Sequence, residues 1–168
     1  FTQQDVYRLE NIPEIRRVIP SNSSMGPVQY RDRTEDVTVE GMSEGYYDVN
    51  DIKLSNGEKI TAEEMREGRK VALISKKVKD KLFKKANPIG QIVTVGNTPL
   101  KVIGVFSNDG GGLFNFQEEK VIVPITLWPI MYGTDDIDSL TIQAQNASLL
   151  QTAGQKAVRL LNDTHSND

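Results

Sequence analysis

Residues 82–106 constrain the fold more than any other stretch of the chain. Leu82-Phe83 closes an amphipathic run, and Asn87-Pro88-Ile89-Gly90-Gln91 follows it. Then come Ile92-Val93-Thr94-Val95, a Gly96-Asn97 pair, and Leu100-Lys101-Val102-Ile103-Gly104-Val105-Phe106. Pro88 biases Asn87 away from the helical region, so the helix ends before it. Gly-Asn between two β-rich runs predicts a hairpin. A helix that stops at a proline and leads straight into a hairpin is the signature of a mixed chain.

The rest of the sequence extends that pattern. Thr2-Gln3-Gln4-Asp5 predicts a helix start with Thr2 as N-cap, and Pro13 predicts its end or a kink. A short segment over 14–18 stops near Pro20, and 21–27 reads as a polar loop. Residues 28–41 predict strands flanking an exposed turn over 31–36, and 41–50 reads as a loop with Tyr46 and Tyr47. Ile52 and Leu54 begin a short segment that ends in a Ser55-Asn56-Gly57 turn. Thr61-Ala62-Glu63-Glu64 is a capping box, 70–75 a buried strand, and 76–86 a helix with Val78 and Leu82 inward. Val121-Ile122-Val123-Pro124-Ile125 is a strand with Pro124 at an edge or at its end. Residues 139–145 form another strand, and 148–162 a helix with Leu150, Ala153, Ala157 and Leu160/Leu161 on one face. The sum is an α+β chain rather than a regular β-α-β-α alternation.

With 168 residues, the chain has room for one well-cored domain or two small lobes. Twenty basic against twenty-three acidic side chains argue against nucleic acid as a partner, which needs a basic face. There is no cysteine, which removes thiol chemistry and Cys-based zinc sites. No apolar run approaches the ~18 residues of a membrane span. The polar opening, Phe1-Thr2-Gln3-Gln4-Asp5, reads as a helix cap rather than a leader, as expected of a segment excised from a longer chain.

Residue types that could carry chemistry lack the company chemistry needs. Gly110-Gly111-Gly112 has neither the P-loop nor the dinucleotide spacing and reads as a flexible loop. His165 is the single histidine and stands in a polar tail. The acids Asp135-Asp136-Asp138 and Glu118-Glu119 lack the EF-hand pattern and read as solvated. Lys76, Lys77, Lys79, Lys81, Lys84 and Lys85 make one helix basic; a solvated face is the plain reading, anionic headgroups or an acidic partner the functional one. Leu113, Phe114 and Phe116 follow the three glycines and are either core or exposed for a partner. They are the candidate partner-binding residues. No catalytic residue, cofactor or metal site is expected.

The ordered motifs resemble those of the MacB-like periplasmic core domain, the extracytoplasmic part of FtsX-type ABC permeases. The resemblance runs through 2–9, Pro13 to Pro20, Val39-Glu40-Gly41 with Tyr46-Tyr47, and Gly68-Arg69-Lys70-Val71-Ala72-Leu73-Ile74-Ser75. It continues in Leu82-Phe83, Asn87-Pro88-Ile89-Gly90, Val102-Ile103-Gly104-Val105, Val123-Pro124-Ile125 and Leu160-Leu161-Asn162-Asp163-Thr164-His165. A departure stands at Leu54-Ser55-Asn56-Gly57-Glu58-Lys59-Ile60, where a reshaped turn is expected.

The resemblance implies two lobes. A Porter-like lobe of βαβ units comes from both chain ends, 1–41 and 118–168, and a mixed α/β Sabre-like lobe, 42–117, is inserted. It implies a domain on the outer face of a bacterial cell membrane, extracellular or periplasmic according to the envelope. Such a domain has no catalysis of its own. A permease homodimer would carry it, a cytoplasmic ATPase would drive it, and a membrane-fusion-type adaptor protein would bind it during efflux of peptides, antibiotics or lipoproteins. The alternative within the family is a signalling domain that binds a peptide or activates a cell-wall hydrolase. A stand-alone enzyme using a carboxylate pair is the rival outside it.

Overall fold

Caps and β-branched runs set the order of elements, which the computed structural model describes for residues 1–107 and 118–165. They are α1 (Gln3–Glu10), β1 (Ile15–Tyr30), β2 (Arg33–Met42), α2 (Tyr46–Val49), β3 (Lys53–Gly57), α3 (Ala62–Glu67) and β4 (Val71–Ser75). After them come α4 (Lys76–Leu82), β5 (Ile92–Val95), β6 (Thr98–Ser107), β7 (Lys120–Pro124), α5 (Trp128–Tyr132), β8 (Ser139–Ala144) and α6 (Leu150–His165). The mixed α+β class is that expected from the sequence.

Two compact units divide the chain: Phe1–Ser21 with Asp135–Asp168, and Asn22–Thr134. β2 pairs in parallel with β7, and β7 pairs with β4, so all three lie in the larger unit.

In the larger unit the pairings close on themselves. β1 (residues 22–30) pairs with β2, β2 with β7, β7 with β4, β4 with β6, β6 with β5, and β5 returns to β1 through Val28↔Val95 and Gln29↔Thr94. Closure leaves no bare edge in that circuit. Alternation along each strand then makes two cores. Val28, Val37, Val39, Ala72, Ile74, Val93, Val95, Leu100, Val102, Val121 and Val123 share one cluster with Val78, Leu82 and Phe83 from and after α4. The opposite faces, Val71, Leu73, Phe106 and Ile122, meet Tyr46 of α2 and Met65 of α3. A bulge in β6 between Val102 and Gly104 reverses its inward parity, so Val102 and Val105 both face the first core.

β3 lies on the last part of β6, and the two strands meet at a pair of glycines, Gly57↔Gly104. Gly57 has φ +81°, and a Cβ there would collide with the Ile103 carbonyl oxygen. A Cβ on Gly104 would stand 2.7 Å from the Glu58 carbonyl oxygen and 2.8 Å from Leu73 Cδ2. Backbone contact this close explains why Ser55, Asn56 and Gly57 continue a strand where the sequence suggests a turn.

β1 is the largest departure from the sequence reading. One strand runs through both Pro20 and Pro27, where a broken segment and a loop are expected. Pro27 accepts a hydrogen bond at its carbonyl from Gly96 N–H, so its missing donor faces the β5 side. The β1–β2 ladder therefore loses nothing there. The β1–β2 turn is also tighter than expected, because Tyr30 pairs with Arg33 and only Arg31-Asp32 remains.

The smaller unit packs α1 and α6 with β8 and residues 15–21 of β1. Val6, Leu9, Ile15, Val18, Ile137, Ala153 and Ala157 form its core. The register runs from Ile15↔Ala144 to Ser21↔Ser139. Thr2 and Asp5 make the expected capping box of α1: Thr2 N–H donates to Asp5 Oδ2 at 2.9 Å, and Asp5 N–H to Thr2 Oγ1 at 3.2 Å. Leu150, expected on the inner face of α6, is 57% exposed. The helix begins only at Leu150, after a 3-10 turn capped by Asn146, and its inner face is carried by Ala153 and Ala157.

Candidate partner-binding surface

Leu113, Phe114 and Phe116, with the glycines before them, lie outside the described residues. Their anchor points are described. β6 runs parallel to β4 and β7 antiparallel to it, so Ser107 and Glu118 stand at one end of the sheet, beside the C-terminal end of β4. Ser75 closes that end. Its buried Oγ accepts from Val78 N–H at 3.4 Å, capping α4, and from Lys120 N–H at 3.1 Å. One hydroxyl thus fixes the start of α4 against the start of β7.

Charged side chains ring this end. Lys120 Nζ lies 2.8 Å from Glu40 Oε2 and 3.3 Å from Glu118 Oε2. Burial works against the Lys120 ammonium, but the Glu40 and Glu118 carboxylates outweigh it and hold its pKa above the usual lysine value. Tyr46 hydrogen-bonds Glu40, and burial first, then that carboxylate, pushes its phenol far above the ordinary range. Lys81 pairs with Glu119 and, at 3.6 Å, with Glu35. Tyr47 donates to the Ile60 carbonyl and accepts from Ile60 N–H, and burial raises its pKa to about 12. Both phenols are therefore neutral at physiological pH.

A depression of about 420 Å³ opens on the same face, with Met25, Asp36, Thr38, Lys77, Glu118 and Lys120 among its walls. The Met25 thioether, 69% exposed, accepts a hydrogen bond from the Thr38 hydroxyl at 3.2 Å. An exposed, adaptable thioether among fixed charges of both signs suits recognition of a polypeptide. Its glutamate carboxylates are tied to lysines rather than to one another.

The lysine run expected to be a solvated face is partly engaged. Lys79 Nζ reaches the Lys84 carbonyl at 2.7 Å, and Lys81 is paired, while Lys76, Lys84 and Lys85 are exposed. Asp135, Asp136 and Asp138 are exposed, and no cluster of metal-ligating residues occurs among the described residues. The backbone of His165 ends α6. No helix among the described residues is long and apolar enough to cross a membrane.

Sequence reasoning missed a second surface, on the smaller unit. Leu150, Gly154 and Val158 follow one another at four-residue spacing on the outer face of α6 and line a shallow depression. The same periodicity that marks Ala153 and Ala157 as core marks this stripe, one residue out of phase.

Comparison with known proteins matches the whole arrangement. The family model of the MacB-like periplasmic core domain covers residues 1–160. An uncharacterized ABC transporter permease of Bacillus subtilis, YknZ, is 32% identical over 168 residues, spanning 100% of this chain and 42% of that permease. The macrolide export ATP-binding/permease protein MacB of Pectobacterium atrosepticum is 29% identical over 163 residues, 96% of this chain and 25% of MacB. The chain thus spans less than half the length of these curated relatives. Among solved structures, the extracellular domain of the noncanonic ABC-type transporter YknZ superposes with a TM-score of 0.88 at 30% identity, covering 99% of this chain and 84% of that one. The periplasmic region of MacB from Actinobacillus actinomycetemcomitans shares the fold, with a TM-score of 0.83 at 22% identity, over 99% of this chain and 75% of that one. The chain belongs to the MacB-like periplasmic core domain family, a family of permease domains rather than of enzymes, and is an extracytoplasmic domain of the YknZ and MacB type.

Proposed function

We propose that this domain is where an ABC permease, outside the membrane, meets a membrane-fusion-type adaptor protein or the transported substrate. In this reading a permease homodimer carries the domain, a cytoplasmic ATPase supplies the motion, and the motion drives efflux of peptides, antibiotics or lipoproteins. The chain ends act as the Porter-like lobe and the middle as the Sabre-like lobe. Leu113, Phe114 and Phe116, in the segment between Ser107 and Glu118, contact the partner. The observation that carries the reading is the end-to-end match, in sequence and fold, to the YknZ extracellular domain. MacB, whose name records macrolide export, matches over nearly the same span.

The test uses the full-length permease co-expressed with its candidate adaptor. Leu113→Ser/Phe114→Ser/Phe116→Ser is expected to fold, to abolish co-purification of the adaptor, and to remove efflux. Retention of the adaptor with normal efflux would discard these contacts. Co-purification of a cell-wall hydrolase in place of an adaptor would replace efflux with the signalling role.

A further inference from the structure

The larger unit has a second pocket, of about 550 Å³, at the tip of the β1–β2 hairpin. Tyr30, Arg31, Asp32, Arg33, Phe83 and Lys84 are among its walls. Three cations against one carboxylate leave two positive charges in excess, in a chain whose net charge is −3. None of the three cations has a carboxylate partner among the described residues, whereas Lys81 and Lys120 nearby in sequence and sheet do.

Two of the cations, Arg31 and Arg33, are held in place. The Tyr30 and Phe83 rings pack with centroids 4.0 Å apart. The Arg31 guanidinium lies 5.3 Å from the Tyr30 ring centroid. Arg33 Nη1 donates to the Leu82 carbonyl at 2.7 Å, which leaves its other N–H donors unused by that bond. Aromatic stacking and a carbonyl anchor thus position two forked donors beside one another's pocket wall.

The backbone gives an independent sign. Arg31 (φ 55°) and Lys84 (φ 53°) are the non-glycine residues at positive φ among the described residues, and both line this pocket. A two-residue hairpin turn and a residue just past a helix end favour Gly or Asn in that conformation. A cation stands at each instead, in a backbone conformation that strains any residue with a Cβ.

We propose that this pocket binds a phosphate group, carried either by a soluble ligand or by a lipid headgroup. A phosphate monoester carries roughly −1.5 to −2 charge at neutral pH, which matches the excess of two, and its oxygens accept forked guanidinium bonds. A single carboxylate would leave the pocket cationic. The proposal is independent of any adaptor.

The experiment is an amide-resonance titration of this chain with inorganic phosphate, glycerol phosphate and acetate, repeated with Arg31→Asn/Lys84→Gly. Saturable shifts at residues 30–33 and 83–87 are expected with the phosphates, and about a hundredfold weaker binding in the variant, the loss of two charge-assisted contacts at about tenfold each. The variant relieves both strained positions, so its Tm is expected to stay or rise. Vesicles containing phosphatidic acid, whose headgroup is a phosphate monoester, identify the source: vesicle binding that glycerol phosphate competes away assigns a headgroup, and no vesicle binding assigns a soluble ligand. The proposal is overturned if phosphate gives no saturable shift, if acetate binds as well, or if the variant binds phosphate unchanged.

Discussion

The two units bury their apolar residues in different ways. β4 in the larger unit is buried at all five positions, with Val71 and Leu73 facing one core and Ala72 and Ile74 the other. β8 in the smaller unit has no fully buried position, and Leu140, Ile142 and Ala144 are only partly covered. A closed circuit with apolar cover on both faces can fill its interior with β-branched side chains. A unit of two helices on two strands has one face to fill. The difference predicts a stability gradient between the units.

Leu73→Ala should cost the most. Leu73 is completely buried between β4 and its neighbours, and the loss should be about 3–4 kcal/mol in denaturant melts. Leu9→Ala, also at 0% exposure, should cost less, about 2–3 kcal/mol, because its half-buried neighbours can collapse into the space. Hydrogen exchange should then speed up in residues 1–21 and 135–165 and not in β4, β6 or β7; uniform loosening would break the comparison. Smaller again is the cap on α3. Thr61 Oγ1 accepts from Glu64 N–H at 3.1 Å, and Thr61→Ala should cost about 1 kcal/mol by thermal melting.

The pH responses should separate the units at opposite ends of the scale. In the smaller unit, the Lys156 hydrogen bond, then Glu14's own backbone bond, holds the Glu14 carboxyl below its ordinary 4.5. A lowered carboxyl pKa stabilises above the unfolded value and loses that stability as pH falls through the folded value. Glu14→Gln should therefore flatten the acid limb of the stability curve below about 4.5 and little else. In the larger unit the Lys120 pKa is raised from 10.5, so its contribution is complete below that value and disappears as pH rises above it. Lys120→Met should remove an alkaline step and leave the acid limb intact.

Local chemistry was legible where it stays local. Both capping boxes, the Gly96-Asn97 hairpin, the inward Val78 and Leu82, and the buried run of β4 follow from a few adjacent residues. β1 was not legible, because a proline in a strand is tolerated only where the missing donor faces away from the ladder, and sequence does not say which side that is. Leu150 failed for a related reason: which of two apolar stripes on α6 turns inward depends on what packs against it. For the candidate site, the motif order of the whole chain identified the family, while no local feature pointed to the charged ring at Ser75, Glu40 and Lys120. Those residues are brought together by strand pairing across 80 positions of sequence.

The glycine pair between β3 and β6 bears on how this domain can diverge. At Gly57 and Gly104 an added carbon meets main chain from the opposite strand, and main chain has no smaller version to mutate to. Neither position can be freed by a permissive change at the other, since each already carries the smallest side group. Lineages of this domain therefore have no stepwise path that alters one glycine while the two strands keep their spacing. Drift in β3 is confined to the exposed Lys53, Ser55 and Asn56, since Leu54 packs on the second core, and larger changes in that region must come by insertion or deletion.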